Sequence, residues 1–244
     1  MNLKARYLIV GDKGISIDFG DEVREEIINQ VRRMLISLEK ANLPGVIEFF
    51  PTARSLFVFY NPLEIKVKNL IHELRILEKR IVDIAPSKWR LFEIPIVYGG
   101  EYGPDLENVA RSLKLTPEDV IKIHCGQEYY VYATGHMGGT AYFKAPAELA
   151  FLPRKKTPDL KAPAGAVCLA KGLGAAFKAM EGPTGWHWIG MCPLRQWFPE
   201  KDPPLLILPG DRVRYHPISK QEYVEIKKMV ENGQFEARIL DSGD

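Results

Sequence analysis

The hydrophobic and polar positions of the first hundred residues alternate in a rhythm of short strands and two amphipathic helices. Helical spacing of apolar residues predicts helices over 27–38 and 67–81. Short apolar runs bounded by turn residues predict strands at 6–10, 14–19, 46–50, 55–60 and 91–97. If the extra strand at 14–19 is set aside, the order is β-α-β-β-α-β. This order predicts a ferredoxin-like (split βαβ) N-terminal domain over residues 1–90.

The pattern changes in the second part of the chain. Thr116-Pro117 predicts a helix start, and Ser219 with Glu222 forms the capping box of a last helix. Between them, glycine and proline separate short apolar runs at 128–133, 141–143, 165–170, 186–190 and 211–216. Such a pattern is typical of a small β-barrel or sandwich. We therefore predict an α+β protein whose second domain spans 91–244.

Composition and charge exclude several classes of protein. The 244 residues include 33 basic and 31 acidic side chains, a net charge of +2, which disfavours non-specific nucleic-acid binding. No apolar run reaches the roughly 18 residues of a membrane helix, and the N-terminus lacks the pattern of a signal peptide. We expect a cytoplasmic protein without a membrane partner. Three separated cysteines without a CxxC predict no disulfide framework and no metal site.

Glycine and basic residues concentrate between residues 135 and 187, where standard catalytic motifs are lacking. The sequence contains no GxxxxGK[ST], GxSxG, HExxH or GxGxxG. The dense segments are 135–140, 153–156, 163–165 and 182–188. Glycine-rich loops with basic neighbours can hold a carboxylate or phosphate. The alternative interpretation is that the glycines serve tight turns and that residues 154–156 form a solvated loop.

Several motifs in this order resemble one known family. The segment 94–106, IPIVYGGEYGPDL, resembles its "IPVxYGGExGPDL", and 210–215, GDRVRY, resembles its "GDxVRF". Further matches lie at 117–124, 129–139, 153–154, 163–165, 185–186 and 189–190. The family is that of the B-type component of 5-oxoprolinase, also known as allophanate hydrolase subunit 1, as sporulation kinase inhibitor and as the carboxyltransferase C/D subdomain.

The resemblance implies a C-terminal cyclophilin-like β-barrel and a companion subunit of related barrel fold. In the oxoprolinase, the complex couples ATP hydrolysis to opening the lactam of 5-oxoproline, which yields glutamate. The implied function is therefore that of a subunit of an amide or lactam hydrolase, inactive alone, with a small carboxylate or amide substrate and with ATP handled together with the partner. The alternatives are a non-catalytic regulator that inhibits a histidine kinase, and a component of allophanate hydrolase or urea carboxylase type.

The resemblance also implies a set of site residues, because these positions align with the densest motifs of the family. His124, His136 and Arg154 are the expected catalytic residues. The expected ligand-binding residues are Gly135, Gly138, Gly139, Gly172, Gly174, Gly185 and Trp186. His124 either borders or braces the cleft, or is a structural histidine that closes a helix. His136 stands where the family has an aromatic residue, so it either titrates in the cleft or only fills the space of the phenyl ring.

The chain departs from the family pattern at polar positions of the expected cleft. The pattern "GGQTGIYP" becomes KGLGAAFK over 171–178, which puts Leu173 at the glutamine. Two arginines are lost, at Asp159 in a second "PR" and at Met191 in "GRTP". Because a buried polar site discriminates its ligand through such groups, these losses bear on the substrate more than on the fold.

Overall fold

The structure is a computed structural model that describes residues 4–80, 89–135 and 137–243. Contacts divide the chain into two compact units, one formed by residues up to Lys88 and one by Trp89–Gly243. The first two residues of the strand that begins at Trp89, which the sequence analysis assigned to the first domain, belong to the second unit.

The first unit is a four-stranded antiparallel sheet with two helices. Its sheet has the order β1-β2-β4-β3. In chain order the elements are β1 (Arg6–Val10), β2 (Gly14–Asp18), α1 (Glu25–Ala41), β3 (Val46–Pro51), β4 (Ser55–Tyr60) and α2 (Val67–Arg80). The predicted continuation of α2 to Ile81 falls outside the described residues. Alternate residues of β2 and β4 form a core with the apolar faces of α1 and α2.

The predicted ferredoxin-like order is not confirmed for this unit. The strand predicted over 91–97 was expected to close its sheet, but that segment is part of a longer strand in the second unit. The edge position beside β2 is instead occupied by β1, which pairs with it in an antiparallel hairpin. Local periodicity identified the strands correctly, whereas the choice of sheet depended on partners distant in sequence.

The second unit is built around one large sheet. Its helices are α3 (Leu106–Leu113), α4 (Pro117–Cys125) and α5 (Lys220–Glu231). Its strands are β5 (Trp89–Tyr98), β6 (Glu128–Tyr130), β7 (Ala133–Gly135), β8 (Thr140–Lys144), β9 (Asp159–Ala162), β10 (Ala166–Ala170), β11 (Leu173–Ala175), β12 (Gly182–Thr184), β13 (His187–Met191), β14 (Arg212–Pro217) and β15 (Ile239–Gly243). The capping boxes predicted at Thr116 and Ser219 are confirmed.

The large sheet curls into a half-barrel. Its order is β6-β14-β5-β13-β10-β11-β8-β7, with β15 beside β5, and β9 and β12 form a separate pair. Beyond β6, the backbone N–H of Tyr132 donates to the carbonyl of Tyr142 in β8, which brings the two ends of the sheet together. The protein is thus a mixed α+β fold. The finer prediction of a cyclophilin-like barrel stays a prediction.

Within the described part of the chain, the helices are too short or too polar to cross a lipid bilayer.

Candidate functional site

One cavity of about 330 Å³ lies between the curled sheet and the β9–β12 pair. This volume is near the lower end of ordinary ligand pockets, so it suits a small molecule. Strands β8, β10 and β11 provide one side, and β12 with the loops around it provides the other. The lining residues are Met137, Thr140, Tyr142, Arg154, Cys168, Ala175, Lys178, Pro183, Thr184, Gly185 and Trp186.

The charged residues of the cavity lining are both cations. Arg154 is exposed, whereas Lys178 is only 9% exposed. The lining includes hydroxyl groups from Thr140, Tyr142 and Thr184 but no carboxylate. Cations and hydroxyl donors without a competing acid favour an anionic ligand, because charge-assisted hydrogen bonds to a carboxylate are the strong ones. The cavity therefore has the electrostatic character of a small-anion site.

The loop that carries Arg154 is fixed by its neighbour Lys155. The Lys155 ammonium is 2.8 Å and 3.0 Å from the two oxygens of Asp105 and 2.7 Å from an oxygen of Asp159. The backbone N–H of Lys155 also donates to the carbonyl of Gly185 at 2.8 Å. Arg154 thus projects from a loop that is held on both its side-chain and its backbone groups.

Asp105 explains part of the long motif at 94–106. Besides Lys155, its carboxylate accepts a hydrogen bond from the backbone N–H of Trp188 at 2.8 Å. Gly103, two residues earlier, passes so close to β13 that an added Cβ would lie 2.0 Å from the carbonyl oxygen of Ile189. The motif therefore provides an anchor for the Arg154 loop and a close backbone approach, rather than a group that lines the cavity.

Cys168 lines the cavity, but it is poorly suited to be a nucleophile. Burial raises the pKa of its thiol to about 12, and the nearby Lys178 opposes this only in part. The thiolate is the reactive form of cysteine, and at neutral pH it is scarce at such a pKa. The thiol therefore acts as a small apolar surface within the cavity.

Three of the residues expected at the site line the cavity, namely Arg154, Gly185 and Trp186. The Trp186 ring stands edge-on to that of Tyr142, with 5.7 Å between the ring centroids. The Trp186 backbone N–H donates to the Thr184 hydroxyl at 3.1 Å. These contacts hold a broad apolar wall opposite the cations.

The predicted glycine-rich loop at 135–140 contributes side chains instead of glycines. Met137 and Thr140 line the cavity, whereas Gly135, Gly138 and Gly139 do not. Gly138 and Gly139 have φ of +73° and +75°, the left-handed region that glycine adopts without strain, so they serve the turn between β7 and β8. The placement of His136 lies outside the described residues.

Gly172 and Gly174 lie away from the cavity, contrary to the expected convergence. Lys171 and Gly172, with φ of +50° and +72°, form the two-residue turn between β10 and β11. An added Cβ on Gly174 would lie 2.2 Å from the ring of Phe143, so this glycine makes room for a core side chain. The alternative interpretation as turn and packing glycines fits these two positions.

His124 does not line the cavity but is fully buried in a cluster of aromatic rings. Its ring stacks on Tyr215 with centroids 4.3 Å apart, and its Nδ1 lies 2.7 Å from the Tyr98 hydroxyl. Burial lowers the pKa of His124 to about 3. The ring is therefore neutral at physiological pH. The idea that a cationic imidazole stabilises the end of its helix is wrong, because the charge it needs is absent.

Sequence reasoning missed Lys178, Thr140, Tyr142, Cys168 and Thr184 as cavity residues. Strand alternation carried a usable signal for one of them. In β10, Val167 and Leu169 pack into the main core, so Cys168 between them faces the other side of the sheet. For Lys178 the signal was its position at the end of the divergent 171–178 segment.

The cavity does not fit Mg²⁺-ATP, the group that the family resemblance implies. A magnesium–nucleotide site uses carboxylates for the metal and a phosphate-binding loop. The cavity lining includes no carboxylate, and within residues 4–80, 89–135 and 137–243 no group of three or more His, Cys, Asp or Glu side chains could hold a metal. No step is therefore assigned to ATP in this cavity.

The fold and the sequence together define the family. Residues 5–207 match the family model of the carboxyltransferase domain, subdomain C and D, and the chain belongs to this family. It is 36% identical over 239 residues to a protein of Bacillus subtilis (strain 168) whose name makes it the B-type component of 5-oxoprolinase, covering 93% of this chain and 99% of that one. The protein of the same name from Escherichia coli O157:H7 is 30% identical over 214 residues, covering 88% and 96%.

A solved structure from a larger protein has the same fold. The urea amidolyase of K. lactis superposes with a TM-score of 0.77 at 17% identity, covering 99% of this chain but only 16% of that one. At this identity the likeness shows the fold alone. The curated relatives are named as subunits, so their names imply companion chains for those proteins.

Proposed function

We propose that this chain is the B-type component of a 5-oxoprolinase and contributes a binding cavity for 5-oxoproline. The observation that carries the proposal is the small cavity lined by two cations and by no carboxylate, in a chain similar over its whole length to proteins of that name. The substrate is small and carries one carboxylate. Its ring carbons suit the apolar surface of Trp186, and its carboxylate suits Arg154 or Lys178.

We further propose that the isolated chain is inactive. Opening a lactam at neutral pH requires activation of its carbonyl, and this cavity offers neither a carboxylate base nor an ionised thiol. A companion subunit of related barrel fold would complete the reacting site and bind ATP. The role of this chain is then to hold the substrate while the partner supplies the missing groups.

Reconstitution tests this function. The chain is co-expressed with the companion subunit of the same organism, and conversion of 5-oxoproline to glutamate is measured with ATP and magnesium. We expect turnover in the complex and none from either chain alone. An Arg154→Gln variant should reduce turnover, whereas Lys144→Met removes an exposed cation at the end of β8 and serves as control. Turnover by this chain alone, or none in a stable complex, would contradict the proposal.

The sequence analysis left two alternatives, a kinase regulator and a component of urea carboxylase type. The similarity to urea amidolyase concerns the fold and does not favour a urea-type substrate. The same purified complex can be assayed with urea and allophanate in place of 5-oxoproline. Turnover of either compound would move the assignment to the urea-type alternative.

A further inference from the structure

Lys178 is the most deeply buried charge of the cavity, and the sequence analysis did not select it. Its side chain lines the cavity although the residue is only 9% exposed. Its backbone is fixed on both sides, because its N–H donates to the carbonyl of Ala166 and its carbonyl accepts from the N–H of Gly165, each at 2.8 Å. The position of this lysine is thus set by the sheet rather than by a free loop.

The ammonium group of Lys178 lacks a carboxylate partner among the described residues. Its one recorded contact is with the carbonyl oxygen of Pro183 at 3.4 Å, a long hydrogen bond. Lys155, another partly buried lysine of the same region, has two carboxylates within 3.0 Å. Burying a charge is costly unless it is paired, so an ammonium without an acid at the wall of a cavity favours an anion inside it.

The segment of Lys178 is also where the chain departs from the pattern of its family. In the alignment of 171–178 with "GGQTGIYP", Lys178 stands at the final proline, while Asp159 and Met191 stand where the pattern has arginines. The two lost cations are therefore accompanied by one gained cation, and the gained one lines the cavity.

We propose that Lys178 binds the carboxylate of the ligand and thereby sets its orientation. Lys178 is buried and Arg154 is exposed, so a carboxylate on Lys178 lies at the inner end of the cavity. The remainder of the ligand then extends toward Arg154 and Trp186, the side open to a companion chain. The identity of the ligand as 5-oxoproline rests on the proposed function, whereas the role of Lys178 requires only a small carboxylate.

A pair of matched ligands tests the role of Lys178. Calorimetry compares 5-oxoproline with 2-pyrrolidinone, the same ring without the carboxylate, on the full chain and on its complex with the companion subunit. A charge-assisted hydrogen bond corresponds to roughly tenfold to a hundredfold in affinity, so we expect 5-oxoproline to bind at least about tenfold more tightly. Lys178→Met should abolish this preference and leave 2-pyrrolidinone binding unchanged, whereas Lys144→Met should retain it. A preference that survives in Lys178→Met overturns the proposal.

A measurement on the wild-type chain covers the case in which the variant fails to fold. Lysines are acetylated with acetic anhydride, and the extent at each position is read by mass spectrometry with and without ligand. We expect 5-oxoproline to slow labelling of Lys178 several-fold and to leave Lys144 unchanged, whereas 2-pyrrolidinone protects neither. If no small carboxylate protects Lys178, the proposal is refuted. If acetate or pyruvate protects it and 5-oxoproline does not, the role of Lys178 stands and the proposed 5-oxoprolinase function fails.

Discussion

His124 makes the stability of the second unit depend on pH in a calculable way. The pKa of this histidine is about 3 in the folded chain, because the ring is buried among Tyr98, Tyr129 and Tyr215. Its ordinary pKa is 6.5. Between these two values the unfolded chain binds a proton that the folded chain does not. Stability is therefore fully present above about pH 6.5 and is lost as the pH falls toward 3.

The magnitude follows from the linkage relation. Each pH unit inside the window costs about 1.4 kcal/mol, so lowering the pH from about 7.5 to about 5.5 should remove about 1.4 kcal/mol through His124 alone. At about pH 4.5 the loss should reach about 2.7 kcal/mol. Carboxylates add their own dependence at low pH, so the contribution of His124 must be read as a difference between wild type and variant.

Urea unfolding followed by tryptophan fluorescence is a suitable assay, because all four tryptophans lie in the unit that contains His124. His124→Gln should be less stable than wild type at pH 7.5, since the glutamine replaces a ring that packs on Tyr215. That difference should shrink by about 1.4 kcal/mol at pH 5.5. His72→Gln, which removes an exposed imidazole of α2, is the control. A constant difference between wild type and His124→Gln across this range would refute the reasoning.

Three further substitutions have expected outcomes. Asp105→Asn removes the charge that holds Lys155 and should cost roughly 2–3 kcal/mol, with faster tryptic cleavage in the loop after Lys155 as the direct readout; unchanged cleavage would contradict the anchoring role. Gly103→Ala places a Cβ 2.0 Å from the Ile189 carbonyl oxygen and should destabilise the chain by more than about 3 kcal/mol in thermal unfolding. Gly172→Ala should cost only about 1 kcal/mol, from its left-handed φ of +72°, and should leave 5-oxoproline affinity unchanged; a loss of affinity would return Gly172 to the site.

The sequence predicted part of the candidate site and missed its most buried charge. Arg154, Gly185 and Trp186 were selected through the resemblance, and they line the cavity. Lys178 was passed over because the motif positions drew attention to glycines. The sequence alone does not show which of two nearby lysines has carboxylate partners. Asp105 lies fifty positions away from Lys155.

Local rules were sufficient for the elements of the fold. The period of apolar positions and the capping residues at Thr116 and Ser219 depend on neighbours within one or two turns of the chain, so the sequence by itself determined most helices and strands. The family also followed from the sequence, because its motifs are contiguous.

The tertiary structure decided what depends on partners far apart along the chain. It assigned β5 to the curled sheet, where it pairs in parallel with β14, more than a hundred residues later. It also buried His124 in a cluster of tyrosines and left Lys178 at a cavity without an acid. Strand pairing and the burial or pairing of a charge are long-range properties, because their free energy comes from groups that only folding brings together.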